Sequence, residues 1–314
     1  MKEGSAIPCH ACGSTDTDAV ATLRSEVDGK QYKAVTCNSC DLVFADPIPN
    51  LSFDGLQEVY GASYTEGLRE PVEDPGSLRS LRDATNRQMD IVERYAQRGL
   101  ALNVGAMSGA TKVLEERGWK LQVVEPSRYA AETARERWGF DVTVSRIEDY
   151  SCPPNTFDFV KLGHVIEHLV DPRLALENLH RVLKPNGILL VDTDNARGLR
   201  TQIELSARKV LGERLAIGLV RRLTGKDLRK RYGRLIPPVH LYTFSERSLV
   251  RVLVASGFDV INVRKPAWGD PTWFPLTDLN SMSFVERAFI LLDQIGAVFG
   301  SGDLIAVLAR KRVG

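Results

Sequence analysis

Hydrophobic and polar positions alternate in a regular order through the middle of the chain. A short apolar run at 100–104 leads into a turn of small residues at 105–109, and a helical pattern then ends near Gly118. A second apolar run at 121–124 stops at an acidic residue, Glu125. This order predicts a β-loop-α-β unit with two parallel strands, and the acid comes directly after the second strand.

The alternation continues toward the C-terminus. Ser127 and Gly139 bracket a helical pattern, and Asp171-Pro172 is typical of a helix start because proline tolerates the first helical position. Further strands are expected at 140–144, 157–162, 188–192 and 304–308, with one more beginning at 257–258. Helices are expected from Ser77 to about residue 97 and after Ser245. Strands that alternate with helices predict an α/β fold with a doubly wound sheet.

The loop after the first strand of this unit suits a nucleoside ligand. Gly105 and Gly109 let a ligand approach the backbone near a helix N-terminus, and Glu125 can accept hydrogen bonds from two ribose hydroxyls. A dinucleotide is disfavoured because G-x-G-x-x-G is absent. An ordinary tight turn between a strand and a helix would also explain the two glycines.

Several segments resemble, in order, motifs of the class I S-adenosylmethionine-dependent methyltransferases. They are the glycine loop at 105–109, Glu-Pro-Ser at 125–127, Phe-Asp-Phe-Val at 157–160, His-Val-Ile-Glu-His at 164–168 and Leu-Lys-Pro-Asn-Gly at 183–187. The resemblance implies a Rossmann-like seven-stranded sheet with helices on both faces and a final antiparallel strand. Two positions depart from the family pattern: Asn103 replaces the usual first acid, and Met107 replaces the middle glycine.

The resemblance implies S-adenosylmethionine as the cofactor. It places cofactor contacts at Tyr64, Asn103, Gly105, Ala106, Gly109, Glu125, Pro126, Ile147, Glu148 and Leu162. Tyr64 corresponds to a tyrosine that closes over the methionine end of the cofactor, although a core tyrosine is an equal alternative. Ile147 and Glu148 correspond to the adenine-contacting loop, and their alternative is an exposed loop.

The segment after the fourth strand of the expected sheet carries the candidate chemistry. His164, Glu167 and His168 match the protease-type H-x-x-E-H pattern, but the helix and surrounding architecture of such a protease are missing from the sequence. A closer resemblance is to small-RNA 2′-O-methyltransferases and ubiquinone-pathway O-methyltransferases, which hold a divalent metal with Glu-x-x-Glu-His. His164 replaces the first glutamate here, and His240 could supply a further ligand.

Many metal-independent relatives carry the same Glu-His pair, so we favour a metal-free site. In that version His164 faces the acceptor and acts as the catalytic general base, because an ordinary imidazole titrates near neutral pH. The alternative for Glu167 and His168 is that they only fix the start of a helix.

Four of the five cysteines form two C-x-x-C pairs, Cys9 with Cys12 and Cys37 with Cys40. Two such pairs can complete a tetrahedral sulfur cage, and a hairpin turning at 28–29 lies between them, so the spacing predicts a zinc ribbon. A redox motif would not need the second pair, and a cytosolic chain disfavours disulfides. Four thiolates close the site, so the zinc is expected to be structural.

We divide the chain into a zinc-ribbon module at 1–50, a linker and helix at 51–97, and a methyltransferase domain at 98–314. A basic segment at about 197–236 would form a substrate cap. Its residues 197–234 hold twelve Lys or Arg and three acids, which favours an anionic acceptor over the alternative of solvated helices. Trp268 and Trp273 could line the pocket.

We therefore expect methyl transfer to a small anionic metabolite or a sugar-type acceptor. The alternatives are an RNA methyltransferase that uses its ribbon for nucleic acid, and a non-catalytic cofactor-binding or scaffolding protein with a degenerate core. A net charge of +1 gives no overall attraction to nucleic acid or membranes. The polar N-terminus and the lack of a spanning-length apolar run lead us to expect a cytoplasmic protein without a membrane partner.

Overall fold

The computed structural model describes residues 8–25, 27–49, 51–61, 75–106, 108–212, 234–267 and 284–313, with the single residues 215, 218, 222, 270 and 273. The strands are, in chain order, β1 (Thr17–Arg24), β2 (Gln31–Cys37), β3 (Val43–Asp46), β4 (Leu100–Val104), β5 (Lys120–Glu125), β6 (Val142–Val144), β7 (Phe157–Gly163), β8 (Leu183–Asp194), β9 (Tyr242–Thr243), β10 (Phe258–Arg264) and β11 (Leu304–Lys311). The helices are α1 (Phe53–Val59), α2 (Pro75–Val92), α3 (Val113–Glu116), α4 (Arg128–Trp138), α5 (Pro172–Val182), α6 (Leu199–Leu211), α7 (Glu246–Ala255) and α8 (Phe284–Val298).

The larger sheet has seven strands in the order β10-β11-β8-β7-β4-β5-β6. Strands β6, β5, β4, β7 and β8 are parallel, and β11 runs antiparallel between β8 and β10. Leu102, Val160 and Val191 are fully buried, as expected for parallel strands covered on both faces. The α/β class, the seven strands and the antiparallel last strand predicted from the sequence are confirmed.

Local capping explains where the helices around the sheet begin. The Ser127 side chain accepts from the Ala130 amide, and Gly139 ends α4 with a φ of 65°. The Asp171 side chain accepts from two amides of the first turn of α5. Ser245 forms a capping box with Ser248 at the start of α7. These caps lie where the sequence placed them.

Three boundaries differ from the sequence expectations. Helix α2 begins at Pro75 and ends at Val92, and Ser77 is buried within its first turn. A proline suits a first turn because its missing N–H has no intrahelical partner there. Strand β6 begins at 142 instead of 140, and the Lys-Pro-Asn-Gly segment lies inside β8, where Asn186 has a φ of 62° and the pairing with β7 shifts register.

The second sheet has the order β1-β2-β3-β9, so its fourth strand comes from far outside the ribbon. Strand β9 pairs antiparallel with β3, and the Ala45 amide donates to the Leu241 carbonyl at 3.0 Å. The ribbon sheet therefore combines three strands from residues 1–50 with one strand, β9, from the expected methyltransferase domain at 98–314.

Candidate active site

A cavity of about 550 Å³ opens at the carboxyl ends of β4, β5, β7 and β8. The chain leaves β4 toward β5 on one side, and β7 lies on the other side, so the strand order switches at this point. Open parallel sheets bind their ligands at such a switch point. Residues of α1 and α2 also line the cavity.

The loop after β4 shapes one end of the cavity. Gly105 has a φ of 94°, a conformation that favours glycine, and its amide donates to the Val124 carbonyl. The Asn103 side-chain amide donates to the Gly105 carbonyl at 2.6 Å. The polar side chain of Asn103 thus holds the loop in place.

Glu125 ends β5 at the same end of the cavity and is only 6% exposed. Its Oε2 accepts from the Ala106 amide at 3.0 Å, and its Oε1 accepts from the Ser127 amide at 2.8 Å. Burial raises the pKa of Glu125 to about 7, although these two hydrogen bonds favour the ionised form. The carboxyl group is therefore fixed in position and poised between its two protonation states.

The expected cofactor residues divide into three groups. Those that line the cavity are Asn103, Gly105, Glu125, Pro126, Ile147 and Glu148. Ala106, Gly109 and Leu162 are buried but lie outside the lining. Tyr64 lies outside the described residues.

Each residue of the second group has a packing or backbone role. Ala106 donates to Glu125, and Leu162 is fully buried between Lys161 and Gly163, which do line the cavity. Gly109 packs against the indole of Trp138, where an added Cβ would lie 2.6 Å from Nε1. Glycine is thus required at 109 by helix packing.

At the adenine end expected from the sequence, Ile147 and Glu148 lie side by side. The Ile147 carbonyl accepts from the Asn178 side chain at 2.7 Å, which fixes this loop against α5. The Glu148 side chain is 3% exposed, and burial raises the pKa of its carboxyl group. Ile147 and the Glu148 side chain are therefore both buried, which disagrees with the alternative of an exposed loop.

His164, directly after β7, lies at the other end of the cavity and has a φ of 50°. Its Nδ1 is 3.3 Å from Glu167 Oε1, and its Nε2 is 3.6 Å from Asp192 Oδ1. The second Glu167 oxygen accepts from the Thr193 hydroxyl at 2.9 Å. Two carboxylates, Glu167 in the segment after β7 and Asp192 in β8, thus flank the imidazole ring of His164.

His164 and Glu167 each favour the charged form of the other. Burial opposes the charged imidazole ring, but the hydrogen bond and charge of Glu167 raise the pKa of His164 to about 9. Burial likewise opposes an ionised Glu167, yet His164 lowers the pKa of that carboxyl group to about 2. Because both groups are charged near neutral pH, the ring first acts as a hydrogen-bond donor, which differs from the neutral base expected from its ordinary pKa.

Comparison with known proteins identifies the family. The Methyltransferase domain family matches residues 79–263, which is more than half of the chain. The chain belongs to this family. The matched residues include β4 to β8, and thus both ends of the cavity.

Individual relatives agree with this assignment. The mitochondrial ubiquinone biosynthesis O-methyltransferase of Bos taurus is 30% identical over 125 residues, 37% of this chain, and the match spans about a third of that relative (33%). A SAM-dependent methyltransferase structure from Archaeoglobus fulgidus has a TM-score of 0.51 at 17% identity, covering 79% of this chain and 100% of the other.

The 1,6-didemethyltoxoflavin-N1-methyltransferase of Burkholderia thailandensis, solved with S-adenosylhomocysteine bound, has a TM-score of 0.50 at 13% identity, covering 94% of this chain and 100% of the other. At such identities the two structures support the Rossmann-like methyltransferase fold alone. Among the described residues, no helix is long and apolar enough to cross a membrane.

A second cluster in the methyltransferase lies beside His164. Ligand atoms of Glu167, His168 and His240 all fall within 4.8 Å of one another. His168 Nδ1 is 2.9 Å from the Val239 carbonyl, and His240 Nδ1 is 3.1 Å from the Arg234 carbonyl. Carbonyls only accept hydrogen bonds, so each Nδ1 carries a hydrogen, and in the neutral tautomer Nε2 is the nitrogen with the lone pair.

This arrangement is typical of metal-binding histidines, whose non-ligating nitrogen donates to a backbone carbonyl. Burial and the neighbouring His240 also lower the pKa of His168 to about 4, which keeps its ring neutral. The residues therefore fit a divalent cation, and the metal-dependent alternative raised by the sequence gains a geometric basis.

Tyr60, directly after α1, lies at the site but was not among the residues selected from the sequence. The Tyr60 hydroxyl donates to the Val239 carbonyl at 3.1 Å and lies 3.2 Å from His168 Nδ1. Gln57 holds α1 against the cofactor end, because its side-chain amide donates to the Pro126 carbonyl at 2.7 Å. The sequence signal for α1 is Ser52, which caps it. A helix that begins there places Tyr60 at its C-terminal end.

Several other cavity residues were missed. They are Gln88, Lys161, Asp192, Asp194 and Arg234. Lys161 Nζ donates to Gln88 Oε1 at 2.9 Å, and burial lowers the pKa of this lysine. A lysine inside the apolar run at 157–162 was the available signal, because a strand buried on both faces rarely carries a charge without a role.

The expected substrate cap is described only at its two ends. Helix α6 and Arg234 belong to it, and Arg234 lines the cavity with its Nε 3.6 Å from Asp194 Oδ1. Most of 213–233 lies outside the described residues, as does Trp268. Trp273 lines the cavity.

The four ribbon cysteines converge as their spacing predicted. Cys9 Sγ is 3.5 Å from Cys40 Sγ, Cys12 Sγ is 3.6 Å from Cys37 Sγ, and all four sulfurs lie within 4.8 Å of one another. A tetrahedral zinc with Zn–S bonds of about 2.3 Å separates its sulfurs by about 3.8 Å, so the cluster fits zinc. The Cys40 hydrogen bond lowers the pKa of Cys9 to about 5, which favours the thiolate that metals bind.

Proposed function

We propose that this methyltransferase moves a methyl group from S-adenosylmethionine to an O, N or C nucleophile of a small anionic metabolite or sugar-type acceptor. The observation that carries the proposal is a cavity with Glu125 at one end and His164 at the other. One end offers a nucleoside site, and the other offers a titratable ring held by carboxylates. A reaction between a nucleoside-bearing donor and a separate acceptor needs both ends.

At the cofactor end, Glu125 would accept hydrogen bonds from the ribose hydroxyls, and Ile147 and Glu148 would flank the adenine. Gly105 leaves room for the ligand to approach the loop backbone, because among the described residues an added Cβ would meet only the Val165 side chain, at 3.4 Å. When bound, S-adenosylmethionine supplies an activated methyl group on a sulfonium. The protein then needs mainly to align the acceptor with that methyl group.

At the acceptor end, the protonated His164 ring would hold the nucleophile as a hydrogen-bond donor, and a ring that has lost its own proton would receive the proton of the nucleophile. Glu167 and Asp192 flank the ring, so they orient it and balance the charge of its protonated form. This is the arrangement of a base with an orienting carboxylate. Asp192 lies at the end of β8, on the same cavity wall.

The preference for an anionic acceptor is supported by cations on that wall. Lys161 and Arg234 line the cavity, and the cap segment adds further basic residues. Asp192 and Asp194 offset part of this charge, so an acceptor with one or two negative groups and several hydroxyls suits the cavity better than a polyanion.

The test is methyl transfer from isotope-labelled S-adenosylmethionine to fractions of a metabolite extract and to a panel of sugar phosphates, nucleotide sugars and carboxylic acids. We expect one acceptor class to gain the label with wild-type protein and to lose it with Glu125→Ala. Transfer only to RNA, with steeply salt-dependent binding, would contradict the proposal. Cofactor binding without transfer to any fraction would favour a non-catalytic role.

A metal-assisted version of the same reaction is favoured by one observation, the Glu167–His168–His240 cluster with both Nδ1 atoms bound to carbonyls. A divalent cation at this cluster would lower the pKa of an acceptor hydroxyl. His168→Ala is the matched variant, because it removes one ligand and leaves His164 and Glu167 in place. Loss of metal binding and turnover in that variant would favour the metal-assisted version, and full chelator resistance would contradict it.

We also propose a structural zinc on Cys9, Cys12, Cys37 and Cys40, which would stabilise the module at residues 1–50. Metal analysis of protein purified without added zinc should give about one equivalent per chain. A zinc content below roughly a tenth of an equivalent would contradict the site.

A further inference from the structure

The segment from His240 to Ser245 lies between the ribbon and the acceptor end of the cavity. Its residue Leu241 bonds to both sides: the amide donates to the Glu167 carbonyl at 2.8 Å, and the carbonyl accepts from the Ala45 amide at 3.0 Å. Ala45 belongs to β3 of the ribbon sheet. One residue thus links the ribbon to the loop that carries Glu167.

Tyr242 makes a second link, from the first cysteine pair to the cavity wall. Its hydroxyl is 3.2 Å from His10 Nδ1 and 3.2 Å from the Val170 carbonyl. His10 lies between Cys9 and Cys12 in the sequence, and Val170 lines the cavity. Because a carbonyl only accepts, the hydroxyl donates to Val170 and is left to accept from His10.

Ser245 makes a third link, to the second cysteine pair. Its hydroxyl donates to the Cys40 carbonyl at 2.9 Å, and both residues are buried. The same serine caps α7. One residue of each C-x-x-C motif, His10 in the first and Cys40 in the second, therefore contacts the segment 240–245.

The strand pairing that joins the segment 240–245 to the ribbon is short. Strand β9 is two residues long, and its ladder partner is β3. A small module closed by four thiolates depends on its metal for its fold, because a preformed cage of sulfurs is unfavourable without the metal. The position of β9 should therefore depend on the metal in the ribbon.

His240, the first residue of the segment 240–245, belongs to the acceptor end of the cavity. His240 immediately precedes Leu241, and its ring centroid lies 4.6 Å from that of His168. The cofactor end is built differently, because Gly105, Ala106 and Glu125 are bonded to one another and to neighbouring backbone of the central sheet. A change in β9 should reach the acceptor end first. Helix α1 also joins the two ends, through Tyr60 at Val239 and Gln57 at Pro126, but the bonds from the Ala106 and Ser127 amides to Glu125 are local and should stay in place.

We propose that the zinc ribbon forms the supporting wall of the acceptor site, so that metal in the ribbon fixes Glu167 and His240 through the segment 240–245. Tyr242 is a positioning residue in this arrangement. The inference rests on the proposed zinc and on the proposed role of the acceptor end. It predicts that ribbon metal and acceptor-site order rise and fall together, independently of cofactor affinity.

The experiment is hydrogen exchange on the full chain, read by mass spectrometry before and after zinc is removed from the ribbon, by a chelator and also by Cys37→Ser, which leaves Glu167, His168 and His240 intact. We expect exchange in peptides covering 164–170 and 239–245 to accelerate by about 100-fold on zinc removal, since their restraints open with the ribbon. Peptides covering 100–106 and 120–125 should keep their protection, and S-adenosylhomocysteine affinity, measured by calorimetry, should change less than about twofold.

Tyr242→Phe tests the link without removing a zinc ligand. It deletes only the hydroxyl that donates to Val170 and accepts from His10, so exchange at 164–170 should rise about fivefold, as for the loss of the hydrogen bond to Val170. The matched control is Tyr32→Phe, which deletes another buried ribbon hydroxyl, bonded to Asp28 at 2.6 Å beside the hairpin turn. The control should leave 164–170 unchanged.

Several outcomes would overturn the inference. They are zinc absent from the purified chain, exchange at 164–170 that ignores zinc removal, equal effects of the two tyrosine variants, or loss of cofactor affinity together with the zinc. Hydrogen exchange needs no cofactor. Failure to bind S-adenosylhomocysteine in the zinc-loaded chain would therefore refute the proposed function and leave the coupling readable.

Discussion

The buried carboxyl group of Glu125 makes cofactor affinity depend on pH. Burial places its pKa at about 7 in the unliganded protein, well above the ordinary value for glutamate. Ribose hydroxyls donate hydrogen bonds to the carboxylate, so the bound state favours the ionised form and ligand binding releases a proton at lower pH. Affinity should therefore be highest above pH 7 and fall as the pH drops below it.

The size of the effect follows from that pKa. With a pKa of about 7, the unliganded carboxyl group is protonated about 90% at pH 6 and about 10% at pH 8. The dissociation constant should then increase by about tenfold between pH 8 and pH 6, or about 1.4 kcal/mol. Further acidification should cost close to tenfold per pH unit.

The assay is calorimetry of S-adenosylhomocysteine binding at several pH values, in pairs of buffers with different ionisation enthalpies. Glu125→Gln is the matched control, because it keeps the shape and removes the titration. Its affinity should be lower than wild type at pH 8 by roughly 10- to 100-fold and nearly independent of pH. A wild-type affinity that is constant from pH 6 to pH 8, or an equal pH dependence in the variant, would refute this reasoning.

Three further variants test other parts of the molecule. With the acceptor identified, His164→Ala should lower turnover by roughly 10²-fold or more at unchanged cofactor affinity, and full activity would exclude His164 from the mechanism. Cys37→Ser should reduce bound zinc to well below one equivalent, whereas a full equivalent would exclude this thiolate as a ligand. Gly109→Ala should lower the unfolding free energy by about 1–3 kcal/mol, because its Cβ would meet the Trp138 indole at 2.6 Å, and an unchanged thermal midpoint would contradict that packing.

The sequence predicted the parts of the site that depend on local order. Gly105 and Glu125 follow directly from a strand, a turn and a second strand, and the structure places both on the cavity. The caps at Ser127, Asp171 and Ser245 likewise depend on neighbouring residues only. Local hydrogen bonding determines these features, so periodicity and side-chain type were sufficient.

The remaining features depend on contacts between distant segments. Strand β9 has two residues and no recognisable pattern, yet it completes a sheet that begins more than two hundred positions earlier in the chain. The basicity of His164 arises from Glu167 and Asp192, and Asp192 comes from a different strand. Tyr60 reaches His168 and Val239 only in the folded chain. Such contacts follow from topology and side-chain packing, which periodicity does not report.

The most direct test of the central claim is a crystal structure of the protein with S-adenosylhomocysteine bound. We expect the ribose hydroxyls on the Glu125 carboxylate, the adenine between Ile147 and Glu148, and the sulfur directed toward the end of the cavity that holds His164. A bound nucleoside whose ribose lies away from Glu125, or a cavity left empty at saturating ligand, would contradict the claim.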